Sequence, residues 1–346
     1  MLFAVSLIPI IVYIIFIYKI DHFALISIKR LLLLVLIGML TALACFGLFL
    51  LTDRVISGVC ADVIHPVIEE LVKSIPLLIL AFRKRIAFFI DSVICGAAVG
   101  GGFSFLENIF YLVLGDSVDL STGLFRGLEV ALIHMGCSAI IAAGMMMAVR
   151  QTERKRSRMP MSTNDIIKTT ALFVVALAFH IFHNTFQFTP IMQFVWVLSV
   201  MIGMIAVVYF YDIDMTHRWL DKGLDMQINL LRSIEGGHLL NTPTGTFLES
   251  VKELFPPNVY FDIICYVRLQ IELSVAAKTR FMLHEVGMDE PLEANKKELY
   301  MSQFVELSEL EKNIGPSAKM TIAPIVKLSP ADTQALNNLL KECKSK

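Results

Sequence analysis

The sequence predicts an all-α membrane protein: a polytopic helix bundle of about seven spans, followed by a small, mostly helical domain. Three observations carry this reading. Of the 346 residues, 56% are hydrophobic and the mean hydropathy is +0.68, far from the balance of a soluble globular domain. Seven apolar stretches reach or approach the roughly 20 residues that a helix needs to cross the hydrocarbon layer. Basic residues gather in alternate loops, as they do in multi-pass proteins. The net charge of -1 leaves no basic surplus to neutralise phosphates, which argues against nucleic acid as a main partner.

The apolar stretches lie near residues 2–18, 31–51, 66–82, 89–114, 124–149, 167–187 and 191–211. The first begins at the second residue with no basic segment before it, so it reads as a retained span rather than a cleaved signal. The third is the shortest, and the "TDRVISGVCADVI" before it reads as an interfacial or re-entrant piece. Alternate loops carry twelve basic residues: Lys19, Lys29, Arg30, Arg83, Lys84, Arg85, Arg150, Arg154, Lys155, Arg156, Arg158 and Lys168. The opposite loops show only Arg54 and Arg126. The positive-inside rule then places the N-terminus outside and the C-terminal tail in the cytoplasm.

Composition shifts after about His217, dividing the chain into a membrane domain, 1–216, and a tail domain, 217–346. The tail holds 32 of the chain's 61 charged residues. Thr246 and Glu249 fit a capping box opening a short helix that stops at Pro256-Pro257. "NVYFDIICYVRLQIELSVAAKTRFML" predicts a long helix with an apolar stripe. Ser329-Pro330 offers an N-cap and an N1 proline for a last helix. No catalytic constellation assembles in the tail, which suits assembly, regulation or binding of a cytoplasmic protein. The six cysteines are scattered, with no C-x-x-C pair, so neither a disulfide framework nor a thiolate metal site is expected.

Ionisable residues within spans are costly, about 2.5–3.5 kcal/mol or more near the bilayer centre, so each demands a partner or a function. Here they are Glu69, Glu70 and Lys73 in the third span, Glu107 with Asn108 in the fourth, His134 in the fifth, and His180, His183 and Asn184 in the sixth. Each admits a structural reading. Pro66 as N1 would put both glutamates in a first helical turn, where the helix dipole favours acids. Glu69 and Lys73 form an i,i+4 pair, and His134 or the "FHIFHN" run could merely bond a neighbouring helix. Depth weighs against coincidence. With the loop charges setting direction and 1.5 Å of rise per residue, all fall within about 15 Å of the outer boundary. Four helices thus place their strongest polar residues in one layer, a shared polar cavity whose carboxylates and imidazoles suit acid–base chemistry on water. No H-E-x-x-H, Ser-Lys or G-x-S-x-G signature accompanies it.

Glu69-Glu70-x-x-Lys73, Phe103-x-x-x-Glu107-Asn108, His134 and His180-x-x-x-Asn184, in that order over residues 65–188, resemble the PrsW family of intramembrane proteases, from a wider clan that includes the type II CAAX prenyl endopeptidases. The resemblance implies a glutamate-dependent, metal-independent, cofactor-free protease that activates water. It implies a membrane-anchored protein substrate cut on the outer side, as in the first cleavage of an anti-sigma factor. Carried over by motif, Glu69 and Glu70 are the catalytic carboxylates, with Glu107, His134, His180 and Asn184 assisting and Lys73, Asn108 and Phe103 in support. It leaves open which glutamate takes the proton and which pairs with Lys73; His183 fits no motif position. The CAAX endopeptidases carry a His where Glu107 stands. Two rival readings are a proton-coupled transporter, which expects internal repeats and midplane charges that the sequence does not show, and a non-catalytic scaffold acting through its tail.

Overall fold

The structure, a computed structural model, describes residues 1–20, 26–52, 58–82, 89–115, 119–154, 163–186, 188–285, 287–288, 290–326 and 328–344. Among these residues the chain is all-α, with no strand. It divides into two compact units, Met1–Asp212 and Ile213–Lys346.

The first unit contains α1 (Leu2–Ile20), α2 (Ile28–Thr52), α3 (Val59–Phe82), α4 (Phe89–Leu114), a short α5 (Leu120–Phe125), a π-helical turn (Arg126–Val130), α6 (Ala131–Arg154), α7 (Thr163–Thr185) and the first part of α8 (Pro190–Glu235). Among the described residues, six segments are long and apolar enough to cross a membrane: Leu2–Lys19, Ile28–Thr52, Phe89–Leu114, Leu120–Met147, Ile166–Thr185 and Pro190–Val207. The remaining apolar stretch of the sequence, the third (66–82), lies in α3. The 24 residues of this helix have the length, about 36 Å, but Asp62, Glu69, Glu70 and Lys73 interrupt its apolar character.

Burial ranks these helices. The apolar windows of α4 and of Leu120–Met147 are 78% buried, against 11% for α1, so α4 and α6 form the centre and the others surround them. The reason is in α4's glycines. A Cβ on Gly100 would strike the main-chain carbonyl of His134, and one on Gly96 the carbonyl of Ser138; the two backbones touch. Ile94, Val99, Ile133 and Ile141 fill the adjoining core with Leu34 of α2 and Val197 of α8. On α2 the opposite side leaves Leu32, Leu33, Leu36 and Leu40 exposed, the pattern expected of a helix whose other neighbour is lipid.

Two sequence expectations change at α3. Val59–Ile64, expected in an interfacial or re-entrant piece, forms the start of this helix; residues 53–57 of that piece lie outside the described residues, as do Arg54, Arg83, Lys84, Arg85, Lys155, Arg156 and Arg158 of the loops. Pro66 is inside α3, not at N1, so it removes one internal hydrogen bond of the helix. Glu69 and Glu70 therefore sit more than two turns past the N-terminus, beyond the reach of its dipole. Helix-start electrostatics does not account for them.

The second unit holds the rest of α8, α9 (Pro243–Val251), α10 (Pro257–Glu285), α11 (Ala294–Val326) and α12 (Pro330–Lys344). The long helix expected from "NVYFDIICYVRLQIELSVAAKTRFML" is α10. α9 starts one turn earlier than expected. Thr242 is its N-cap, accepting from Gly245 N, with Pro243 at N1, whereas the Thr246 hydroxyl donates to the carbonyls of Thr242 and Leu240 and caps no N–H. The start of α12 is as expected: Ser329 Oγ accepts from Asp332 N at 3.0 Å, and Asp332 Oδ2 accepts from Ser329 N at 2.9 Å, a reciprocal capping box. The second Asp332 oxygen accepts from the buried Lys278 ammonium at 2.9 Å and from Trp219 Nε1 at 3.2 Å, tying α12 to α10 and α8.

Because α6 rides on the α4 glycines, Gly100→Leu is expected to push His134 out of place. Its thermal midpoint in detergent should drop, by about 1–3 kcal/mol of overpacking. A midpoint equal to that of the unsubstituted protein would contradict the close contact.

Candidate active site

The polar residues of α3, α4, α6 and α7 meet in one network. Lys73 Nζ is 2.6 Å from Glu70 Oε1, and both side chains are fully buried. The same ammonium is 3.0 Å from His134 Nδ1 and lies over the Phe103 ring, 4.3 Å from its centroid. His180 Nδ1 is 2.8 Å from the same Glu70 oxygen. His134 Nε2 is 2.7 Å from Glu107 Oε2, and Glu107 Oε1 accepts from Arg126 at 2.9 Å. Arg126 also covers the Tyr111 ring at 4.0 Å. The pairing with Lys73 thus goes to Glu70, at i,i+3, and not to Glu69 at i,i+4.

Glu69 stands apart from this web while remaining at its centre. Its Oε2 is buried without a hydrogen-bond partner, 3.7 Å from His180 Nε2 and 3.9 Å from His134 Nδ1. The network fixes what these nitrogens present. His180 gives its Nδ1–H to the Glu70 carboxylate, so its Nε2 lone pair turns toward Glu69. His134 accepts from Lys73 at Nδ1, which leaves the proton on Nε2 toward Glu107. Three carboxylates face one ammonium and one guanidinium, so the cluster holds room for one further positive charge, whether a proton or an ion.

Not every residue singled out in the sequence joins this web. Asn184 Oδ1 lies 3.3 Å from His183 Nδ1, beside the network instead of in it. Asn108 is fully buried with both amide atoms unpartnered. His183, which fits no motif, faces Glu129 at 3.7 Å. Sequence reasoning counted Arg126 only as an outer-loop charge and passed over Glu129; both lie on the π turn. The signal existed, since both are ionisable residues inside the fifth apolar stretch.

A family model described as PrsW family intramembrane metalloprotease matches residues 26–211. The chain belongs to the PrsW family. Membership and the six apolar helices make it a multi-pass intramembrane protease. No curated protein and no solved structure matches the chain.

The family's description as metalloproteases stands beside the metal-independent reaction expected from the sequence, so the residues bear testing as ligands. Candidate ligand atoms of Glu69, His134 and His180 all lie within 4.8 Å of one another. Glu69 offers an orphaned buried oxygen, and the far nitrogen of each imidazole is backed by a carboxylate, Glu107 or Glu70, as metal-binding histidines require. Two His and one Glu is a known catalytic zinc set. The donor set fits a divalent ion, with Lys73 competing for His134 Nδ1.

The buried Glu70–Lys73 pair yields a stability test. Lys73→Met strands a buried carboxylate and is expected to lower stability by about 3–5 kcal/mol. Lys73→Met with Glu70→Gln should recover much of that loss in thermal unfolding of the solubilised protein. A double variant less stable than Lys73→Met alone would contradict the pairing.

Proposed function

We propose that this chain is an endopeptidase that hydrolyses membrane-anchored proteins near the outer leaflet, with Glu69 as the general base. The orphaned Glu69 Oε2, buried and facing the lone-pair nitrogen of His180, is the observation that carries this reading. A water between those atoms would give one proton to Glu69 as its oxygen attacks the scissile carbonyl carbon. Glu69 would then hand that proton to the amide nitrogen as the C–N bond breaks, regenerating the carboxylate. A positioned base of this kind contributes roughly 10²–10⁴-fold. Glu70, fixed by Lys73, holds His180 in the tautomer that faces Glu69; Glu107, fixed by Arg126, does the same for His134. Glu69, His134 and His180 would hold the ion of a metalloprotease, which supplies Lewis-acid polarisation and a more acidic bound water.

Glu69→Gln keeps the shape of the side chain and removes the base. A comparison of membrane proteomes from cells carrying the wild type or Glu69→Gln should show a substrate fragment only with the wild type. The same fragment in equal amount from both would sink the assignment. Chelation separates the two chemistries at one site: loss of cleavage with 1,10-phenanthroline and its return with zinc assign an ion to the three ligands. An unchanged rate assigns the whole activation to the carboxylate. A membrane-anchored anti-sigma factor is the substrate class that the resemblance offers.

The alternating basic loops support an orientation in a cell membrane with the N-terminus outside and the second unit in the cytoplasm, where it would meet a protein partner. Reporters that are active only in the cytoplasm should work when fused after Lys346 and fail when fused before Met1; the reverse pattern would invert the topology.

A further inference from the structure

Among the buried side chains that keep a polar atom with no protein partner, five outside the Glu69 network lie toward one end of the first unit. They are Ser6 on α1, Ser104 and Asn108 on α4, Glu129 on the π turn and His183 on α7. All are at least nine-tenths buried, and the first three are fully so. Buried polar atoms in folded proteins are nearly always bonded to protein or to ordered water, because leaving them bare is costly.

Their placement brings them together. Gly127 of the π turn packs against the main chain of Ser6, so α1 meets the turn at that residue. Gly101 of α4 packs against Ile14 of α1. Gly101, Ser104 and Asn108 follow at i, i+3 and i+7, one stripe of a helix, which the Ile14 contact turns toward α1. The first and fourth helices of the bundle run in opposite directions. Ser6 and Asn108 therefore both lie about 10–12 Å from the Ile14–Gly101 contact, at one level. Glu129, two residues past Gly127, faces His183 Nε2 at 3.7 Å, bringing α7 to the same level. That separation is too long for a direct hydrogen bond and suits a single bridging molecule.

We propose that Ser6, Ser104, Asn108, Glu129 and His183 form a buried water-binding site from which hydrolysis at Glu69 draws its water. The proposal rests on the protease reading, since each cleavage consumes one water and lipid supplies none. The two sites adjoin along three helices. Asn108 follows Glu107, Glu129 precedes His134 by five residues, and His183 is one turn beyond His180. The site is polar and offers several partners to each water, the condition under which buried water is retained.

Radiolytic footprinting of the full chain in lipid nanodiscs, in ¹⁸O-labelled water, reads bound water without reference to activity. His183 is expected to be oxidised despite its burial, while Phe179, buried to the same degree in the apolar core, is not. Asn108→Leu should reduce the His183 label and lower kcat several-fold on the substrate found by the proteome comparison, with KM and the thermal midpoint held. Ser104→Ala, a smaller change, should move label and kcat in the same direction if Asn108→Leu fails to fold. An unlabelled His183, or wild-type kcat in variants that have lost the label, overturns the proposal. A labelled His183 in a protein whose wild type releases no fragment removes the protease reading and leaves the water site standing.

Discussion

The ion pair between Glu70 and Lys73 is the constraint on which the rest of the first unit depends. Neither charge is exposed, and removing two ions from water costs more than their attraction returns unless further hydrogen bonds complete them. His180 and His134 supply those bonds, so α7 and α6 must come to α3. His134 can approach because Gly100 lets α6 lie directly on α4. Glu107 then meets His134, and Arg126 meets Glu107. One buried pair thus recruits four helices and a turn, and Glu69 is left with an unpartnered oxygen that faces His180 Nε2 and His134 Nδ1.

That division of labour separates two adjacent carboxylates by environment alone. Glu70 spends one of its oxygens on Lys73 and His180 and acts as a fixed anion. Glu69, one position along the helix and so rotated by about 100°, instead faces His180 Nε2, whose lone pair no protein donor has claimed. A base and an anchor therefore need no difference in residue type. The arrangement also explains why a metal-binding set and a carboxylate base coincide at Glu69: both chemistries require a buried oxygen that no protein donor has claimed.

Much of this was legible in the sequence, and what was not has physical causes. Hydropathy gave the apolar helices because lipid admits no other open-chain solution. Loop charges and helical rise placed Glu69, Glu70, Glu107, His134 and His180 in one layer, and the structure joins them. Periodicity does not specify angular position finely enough to choose between Glu69 and Glu70 as the partner of Lys73, since i,i+3 and i,i+4 are both neighbours. Pro66 looked like a helix start because proline favours N1, yet α3 carries it internally as α3 also carries Pro76. Arg126 was read as a loop charge and Glu129 escaped notice because a π turn adds a residue to the helical cycle, and an extra residue shifts every face predicted from a 3.6-residue period. Thr246 lost the cap of α9 to Thr242, whose following proline is the stronger signal.

The charges of α3 also bear on how the protein is made. Lys73, Glu69 and Glu70 together oppose the transfer of α3 alone from the insertion machinery into lipid. Lys73 offsets Glu70 within α3 itself, but the imidazoles that complete this pair, His134 and His180, reside on α6 and α7, which are synthesised later. The hydrogen bonds that make burial of this pair favourable thus exist only once α7 has been made, so the order of synthesis leaves α3 the last of the early helices to gain its full set of partners.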